Sequence, residues 1–413
     1  MAGFGSHILF HAGSLTRLYA TARQLNGHYF SFEVPSMTSE ERREARYQRR
    51  QKKRQLQKLS RTWEYDYFPS VFCYGNLYRA YRKCRLGVAW KGSTQKFITQ
   101  APLEVFRIWD NLDKNRWKSK GFYEFDLFER GKARHIKSAT MDERVVQRCL
   151  CDNALVPVLQ PTFIYDNGAS TKDKGYHFAI SRCEKHLHDH YRKHGQTGYV
   201  LTFDFSKFFD NVDHTLIEDI VRKNFTDQRL IDLTLYLVHA FGDKGLGLGS
   251  QVSQTFALAS ANRLDHYCKE VLRIRGYGRY MDDGYLISDS KEYLQYCLTC
   301  IQQICDQLHI KLNAKKTRIT KLSKGFTFLK CRFFLTCTGK VVKKIYKESV
   351  TKMRRKLKKL FPMMMQGILT YQDVYQAFQS WRSYAAHFDA WHAIRNTERL
   401  FNRLFFSYPG YLF

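Results

Sequence analysis

Residues 277–287 read YGRYMDDGYLI, and residues 199–205 read YVLTFDF. Both are rich in aromatic and β-branched residues, the composition of strands. The first reads as strand, acidic turn, strand, a β-hairpin with Asp282 and Asp283 at its bend. The second reads as a strand ending in Asp204. Carboxylates flanked by apolar strand residues are costly unless something neutralises them. Two Mg²⁺ ions would do so, since Mg²⁺ takes carboxylates together with substrate phosphates. Catalysis by two metals needs carboxylates that bridge ions about 3.5–4 Å apart. An ordinary acidic β-turn is the alternative for an isolated Asp-Asp, so the flanking sequence has to decide.

Working outward, residues 122–136 (FYEFDLFERGKARHI) read as strand, turn, strand with Gly131 at the turn. Residues 142–158 read as a mostly apolar helix, 176–194 as another, and further helices fall at 254–271 and 293–308. Residues 326–335 read as a strand. In the C-terminal part, Val350, Met353, Leu357 and Leu360 share one helix face while lysines and arginines fill the others. Near the other end, Thr38 and Glu41 have capping-box spacing ahead of a helix with ten Lys/Arg between Arg42 and Arg61.

The order of these segments carries a resemblance. YMDD resembles the YxDD signature of reverse transcriptases. FDFSKFFDNVDH resembles the motif that precedes it in the same palm, with an aromatic residue five positions after the first Asp. LNAKKT (312–317) resembles the next motif, and GFTFLKCRF (325–333) the hairpin that grips the primer. ERGKARHI and DERVVQRCL resemble fingers motifs of bacterial reverse transcriptases. The resemblance runs from about residue 129 to 334. It implies an α+β right-hand polymerase with fingers, a palm built on an antiparallel sheet with the YMDD hairpin, and an α-helical thumb. The expected domains are a basic extension (1–65), fingers (66–195), palm (196–340) and a basic helical thumb (341–413).

The resemblance also implies roles at matching positions. Asp204 and Asp282 would ligate two Mg²⁺, with Asp283 as the third acid and the backbone carbonyl of Phe205 facing a metal. Phe209 would be the steric gate that excludes a 2′-OH, favouring dNTPs. Lys132 and Arg134 would contact the incoming triphosphate. Lys316 would stand near the leaving pyrophosphate as a general acid, a solvated lysine being the alternative. In KGLGLGSQVSQ (244–254), Gly249 and Ser253 match the family's Gly-x-x-x-Ser, and Gly249 and Gln254 would border the nucleotide. Many bacterial members have Gln and Pro where this chain has Leu248 and Gln254. Defence-associated and unclassified bacterial enzymes fit this pattern better than those of diversity-generating retroelements.

Composition agrees with a nucleic-acid partner. The 413 residues hold 68 Lys+Arg against 38 Asp+Glu, a net charge of +30, with 15% aromatics. So large a surplus points to a polyanion, and the aromatics point to a folded chain. No apolar run is long enough for a membrane span, and the first residues lack the basic n-region of a signal peptide. Eleven irregularly spaced Cys read as reduced cytoplasmic thiols.

The expected activity is RNA-directed DNA synthesis on an RNA template with dNTPs, giving a DNA product. A dedicated non-coding RNA in anti-phage defence is the preferred setting. A diversity-generating retroelement enzyme and a non-catalytic RNA-binding maturase or scaffold are the alternatives; Phe209 argues against an RNA-synthesising polymerase. No feature sets an oligomeric state.

Two further clusters draw attention. His186, His190 and His194 share a helix face and could bind zinc, but a polar or RNA-facing surface is the better reading. Cys297 and Cys300 form a CxxC that reads as a buried helix face.

Overall fold

The computed structural model describes residues 64–129 and 132–405, together with positions 38, 41, 42, 44–46, 48, 49 and 52. Two compact units divide the chain, Met1–Lys58 and Leu59–Phe413. In the first, the capping box forms as expected: Glu41 N–H donates to Thr38 Oγ1 at 3.2 Å, and Thr38 N–H to the Glu41 carboxylate at 2.7 Å. The remaining positions of the basic run lie outside the described residues.

The second unit is α+β. Its centre is a four-stranded antiparallel sheet of order β4-β5-β3-β6, from β3 (Tyr199–Asp204), β4 (Gly276–Tyr280), β5 (Asp283–Ser288) and β6 (Arg318–Lys321). A hairpin of β1 (Phe122–Glu129) and β2 (Lys132–Ala139) stands apart from it. A three-stranded sheet joins β7 (Phe326–Phe328), β8 (Cys331–Leu335) and β9 (Val341–Ile345).

Helices cover the central sheet because its strands are apolar on both faces. Val200, Leu201 and Phe203 of β3 are buried, as are Tyr285, Leu286 and Ile287 of β5. Helix Lys291–Gln307 contributes Leu294, Cys297, Cys300, Ile301 and Ile304 to that core. The CxxC cysteines are therefore a buried helix face, and all eleven cysteines are free. The last three helices, Lys347–Met365, Tyr371–Ala385 and Trp391–Phe405, close on a core of their own from Met353, Leu357, Val374, Phe378, Phe401 and Phe405. No helix among the described residues is long and apolar enough to cross a membrane.

Four sequence expectations need correction. The segment 341–413, expected to be helical, opens with strand β9 (Val341–Ile345), whose β-branched residues pair with β8. The strand expected over 326–335 is two strands, because Leu329 and Lys330 both take left-handed backbone (φ 49 and 61). That pair of angles makes the two-residue turn that suits a twisted hairpin. The helix expected over 142–158 is Met141–Leu150, then a π-turn at Cys151–Leu155, then Val156–Leu159. Pro157 has no N–H to continue the regular ladder. The helix expected over 254–271 begins at Gln251, because Ser250 caps it by accepting from Ser253 N–H, and it breaks at Ala261.

Candidate active site

The site is built where β3 ends and β5 begins. Asp204 and Asp283 are cross-strand partners in the register of these strands. Directly opposed residues of an antiparallel pair have Cβ atoms about 5 Å apart on one face of the sheet. The register is set one step inward, where Phe203 faces Gly284. A Cβ on Gly284 would come 2.2 Å from the Phe203 ring, so only glycine fits beside it. The turn between β4 and β5 is tight, with Met281 in left-handed backbone (φ 53). Its carbonyl accepts from Arg279 Nη1 at 2.7 Å. Asp282 follows in that turn, and its carbonyl accepts from Phe205 N–H at 3.1 Å. Sheet register and turn thus bring Asp204, Asp282 and Asp283 to one corner, with Phe205 bonded beside them.

The segment carrying Lys316 folds back on the same corner. Phe205 and Leu312 form an antiparallel bridge. Asn313 N–H donates to the Asp204 carbonyl at 2.8 Å, and Asn313 Nδ2 to Asp204 Oδ1 at 3.1 Å. Lys316 Nζ reaches Asp204 Oδ2 at 2.6 Å. Asp204 is 3% exposed and Lys316 remains largely exposed. Asn313 is a site residue the sequence reading passed over, although it stands inside the LNAKKT segment that marked Lys316.

The electrostatics of the corner are unbalanced. Burial, with the charges of Asp282 and Asp204, pushes the Asp283 carboxyl up to about 7. Burial works against the charge of Lys316, but the neighbouring carboxylates outweigh it and raise its pKa. Among the described residues, no three His, Cys, Asp or Glu side chains converge as a ready metal cage. The donor set nonetheless suits a hard divalent cation: it is all oxygen, and it carries more negative charge than Lys316 alone offsets.

Phe209 and Phe208 are sorted by the backbone. Lys207 takes a left-handed conformation (φ 45) and turns the chain after β3. Phe208 then enters the core against Phe205, with ring centroids 4.9 Å apart, while Phe209 stays half-buried. The Phe209 carbonyl accepts from Leu246 N–H at 2.6 Å, which ties it to the Gly-rich segment. Gly245 lies so close that a Cβ there would be 2.8 Å from the Asp210 carbonyl oxygen. Gly249 has φ 101 with open space around it, so backbone conformation and not crowding asks for glycine there.

A buried relay connects that segment to DERVVQRCL. Ser250 Oγ donates to Gln147 Oε1 at 2.9 Å, Gln147 Nε2 donates to Glu143 Oε1 at 3.0 Å, and Ser119 Oγ bonds Glu143 Oε2. Burial raises the Glu143 carboxyl. Gln254 is exposed, and Ser170 Oγ lies 3.4 Å from its Oε1. The base of the β1–β2 hairpin leans on the same region: the rings of Phe122 and Phe241 stack at 4.6 Å, and Phe241 lies over Gly247. Lys132 and Arg134 belong to β2, opposite Glu129 and Leu127, toward the far end of the hairpin. The side chains of Lys132 and Arg134 lie outside the described residues.

The three histidines do not converge. His186 Nδ1 bonds the Tyr285 hydroxyl at 2.9 Å, His190 Nε2 bonds the Thr197 carbonyl at 2.7 Å, and His194 faces Asp289 at 3.5 Å.

Comparison with known proteins adds the family. A family model described as reverse transcriptase (RNA-dependent DNA polymerase) matches residues 117–333. Protein YkfC of Escherichia coli (strain K12) is 24% identical over 241 residues, which are 48% of this chain and 62% of that protein. The chain therefore spans under two thirds of that relative's length. Among solved structures, telomerase from Candida albicans with a fragment of telomeric RNA aligns with a TM-score of 0.44 and 11% identity, over 70% of this chain and 57% of that one. A truncated apo telomerase from Candida tropicalis aligns with a TM-score of 0.42 and 14% identity, over 54% of this chain and 55% of that one.

Proposed function

The chain belongs to the reverse transcriptase (RNA-dependent DNA polymerase) family, and from that premise we propose that it is an RNA-directed DNA polymerase that extends a primer 3′-OH with dNTPs. The observation that carries the reading is the cross-strand pairing of Asp204 with Asp283, with Asp282 in the adjoining turn. Asp204, Asp282 and Asp283, with the Phe205 carbonyl, would hold two Mg²⁺. Bound there, the ions would supply activation of the attacking hydroxyl and charge neutralisation at the phosphates.

The chain's own residues do the rest. The Phe209 ring, half-buried beside the Gly-rich segment, sits under the sugar and excludes a 2′-OH. Gly249 and Gln254 border the nucleotide and template, and Lys132 and Arg134 hold the triphosphate. Lys316, drawn to Asp204, delivers a proton to the leaving pyrophosphate. Residues 66–195 serve as fingers, 196–340 as palm and 341–413 as thumb, with 1–65 as a basic RNA-tracking extension.

The net charge of +30 supports a stable RNA partner, which we take to be a dedicated non-coding RNA serving as template in anti-phage defence. The Leu248 and Gln254 departures from the commonest bacterial pattern support that setting. Eleven free cysteines suit the reducing cytoplasm.

Expression with the native flanking DNA, followed by sequencing of all bound RNA and DNA, tests the reading beside an Asp282→Ala/Asp283→Ala control. DNA complementary to one abundant bound RNA, lost in the control, is the expected result. Bound RNA with no acid-dependent DNA, in resting and phage-infected cells alike, points instead to a scaffold.

A further inference from the structure

A groove of about 930 Å³ opens on the central sheet at the end remote from the acidic turn. Gly276 at the start of β4 and Ile287 and Ser288 at the end of β5 form its floor. From Ser288 back to Asp283 is five residues, about 17 Å along the strand. The groove is thus a separate place from the carboxylate corner.

Its walls are basic. Seven Lys/Arg and three Asp line it, with the three histidines of helix Tyr176–His194. Two of the acids are already paired with cations, and the third has only a histidine beside it. Asp166 takes both Arg182 (2.5 Å) and Lys269 (2.7 Å), Asp189 takes Arg192 (2.8 Å), and Asp289 faces His194. That leaves Lys185, Lys193, Arg273 and Arg275, all exposed, with no carboxylate in ion-pair range among the described residues. Arg273 stands in left-handed backbone (φ 51) at the stop of the helical turn Tyr267–Val271. Below these cations the floor is rigid, because Asp166 is fixed from two elements and His186 is bonded to Tyr285.

The rim adds aromatic faces. Tyr293 lines the groove, and its ring stacks with that of Tyr296 at 6.2 Å and 22°. Tyr296 is 58% exposed, and the Tyr293 hydroxyl is fixed by donating to the Leu272 carbonyl at 2.6 Å. Unpaired cations beside exposed stacked rings form the combination that holds single strands: the cations take phosphates and the rings take bases. An anionic membrane or an acidic peptide would use the cations but has no base to stack.

We propose that this groove is an accessory site for single-stranded RNA, holding a loop or tail of the bound RNA outside the polymerising cleft, through Lys185, Lys193, Arg273 and Arg275 with Tyr296 as a stacking face. The proposal rests on the RNA-handling function above and gives it a second contact surface.

The test measures binding of a short labelled single-stranded RNA to the full chain by fluorescence anisotropy over a salt series. The variant is Lys185→Glu/Lys193→Glu/Arg273→Glu/Arg275→Glu. For single strands, each phosphate contact contributes about 0.7 to the slope of log K against log salt. Losing four should shrink the slope by about 3, and Tyr296→Ala should weaken binding without changing the slope. Extension of a short annealed primer–template should be unchanged.

An unaltered slope overturns the proposal, as does an equal loss of binding to phosphatidylserine vesicles without loss of RNA. A parallel loss of primer extension also overturns it, by making the groove part of the main cleft. If the reversed charges unfold the chain, the four Lys/Arg→Gln replacements give the same readout. Failure of the wild-type chain to extend any primer, with the slope change intact, would count against the polymerase reading and leave the groove standing.

Discussion

Asp265 and Arg279 form an ion pair that solvent does not reach, each side chain 0% exposed. Arg279 Nε and Nη2 bond the two carboxylate oxygens at 2.7 and 2.6 Å, and the Tyr277 hydroxyl donates to the same carboxylate at 2.6 Å. Burial opposes the charge of Arg279, and Asp265 more than compensates, holding the guanidinium charged. The remaining nitrogen, Nη1, grips the Met281 carbonyl inside the acidic turn. A helix residue 17 positions before Asp282 thereby sets where Asp282 stands.

Removing one partner of that pair should be severe. Asp265→Asn or Arg279→Met leaves a buried charge unmatched, at a cost of about 3–5 kcal/mol. Replacing both, as Asp265→Leu/Arg279→Met, should recover part of the stability but not the activity, because the Met281 carbonyl loses its donor. Urea denaturation read beside primer extension checks both halves.

Gly284→Ala should lower stability by about 1–3 kcal/mol, the usual cost of overpacking, and reduce extension by shifting Asp283. Pairing it with Phe203→Leu should restore part of both, since the clash is with that ring. Equal losses with and without the second change would separate Gly284 from the Phe203 contact.

Phe209→Ala should narrow the preference for dNTP over NTP by roughly 10-fold or more, the scale of a steric difference in a pocket. Phe208→Ala should instead cost stability, because Phe208 is 5% exposed and packs on Phe205. Single-nucleotide incorporation with matched dNTP and NTP gives the ratio. A ratio unmoved by Phe209→Ala removes that ring from sugar selection.

Lys316→Ala should slow nucleotide addition by about 10²–10⁴-fold, the range for a lost general acid. Lys316→Arg keeps a charge beside Asp204 but donates a proton poorly, so it should resemble Ala in rate and wild type in thermal stability. Single-turnover addition measures the rate. Full activity in the Arg variant would reduce Lys316 to a structural counter-charge.

Acid should loosen the floor of the groove. Burial alone would raise the Asp166 carboxyl, but hydrogen bonds from His186, Arg182 and Lys269 hold it well below the usual carboxylate range. A carboxyl depressed in the folded state contributes stability above its unfolded value, about 3.9, and loses it as pH falls through the folded value. Stability should therefore decline below about pH 4, with Asp166 contributing up to about 1.4 kcal/mol per pH unit. Asp166→Asn should be less stable throughout yet show a flatter decline in chemical denaturation across that range.

Local chemistry made much of this protein readable in advance. Alternating aromatic and β-branched residues marked β3, β4 and β5. The capping box at Thr38 and Glu41 formed as spaced, and helix Tyr176–His194 has the bounds its pattern implied. The acids were legible through their flanks: an isolated Asp-Asp is equally well an ordinary turn, and the ordered motifs around YMDD and FDFSKFFDNVDH set it apart. Where local reading slipped, a backbone angle or a missing donor was the cause: left-handed Leu329 and Lys330 split one strand into two, and Pro157 put a π-turn into one helix.

The sequence by itself determined the order of the motifs that resemble the family, the strand-forming flanks of the three acids and the charge surplus, all of them local properties. Only the tertiary structure decided which residues meet. Asp204 and Asp283 oppose each other because Phe203 allows nothing larger than Gly284 across the strand pair. Asn313 reaches Asp204 from 109 positions away, and Asp265 governs the acidic turn through Arg279. Such contacts join residues far apart in the chain through register and packing, and no local pattern encodes them.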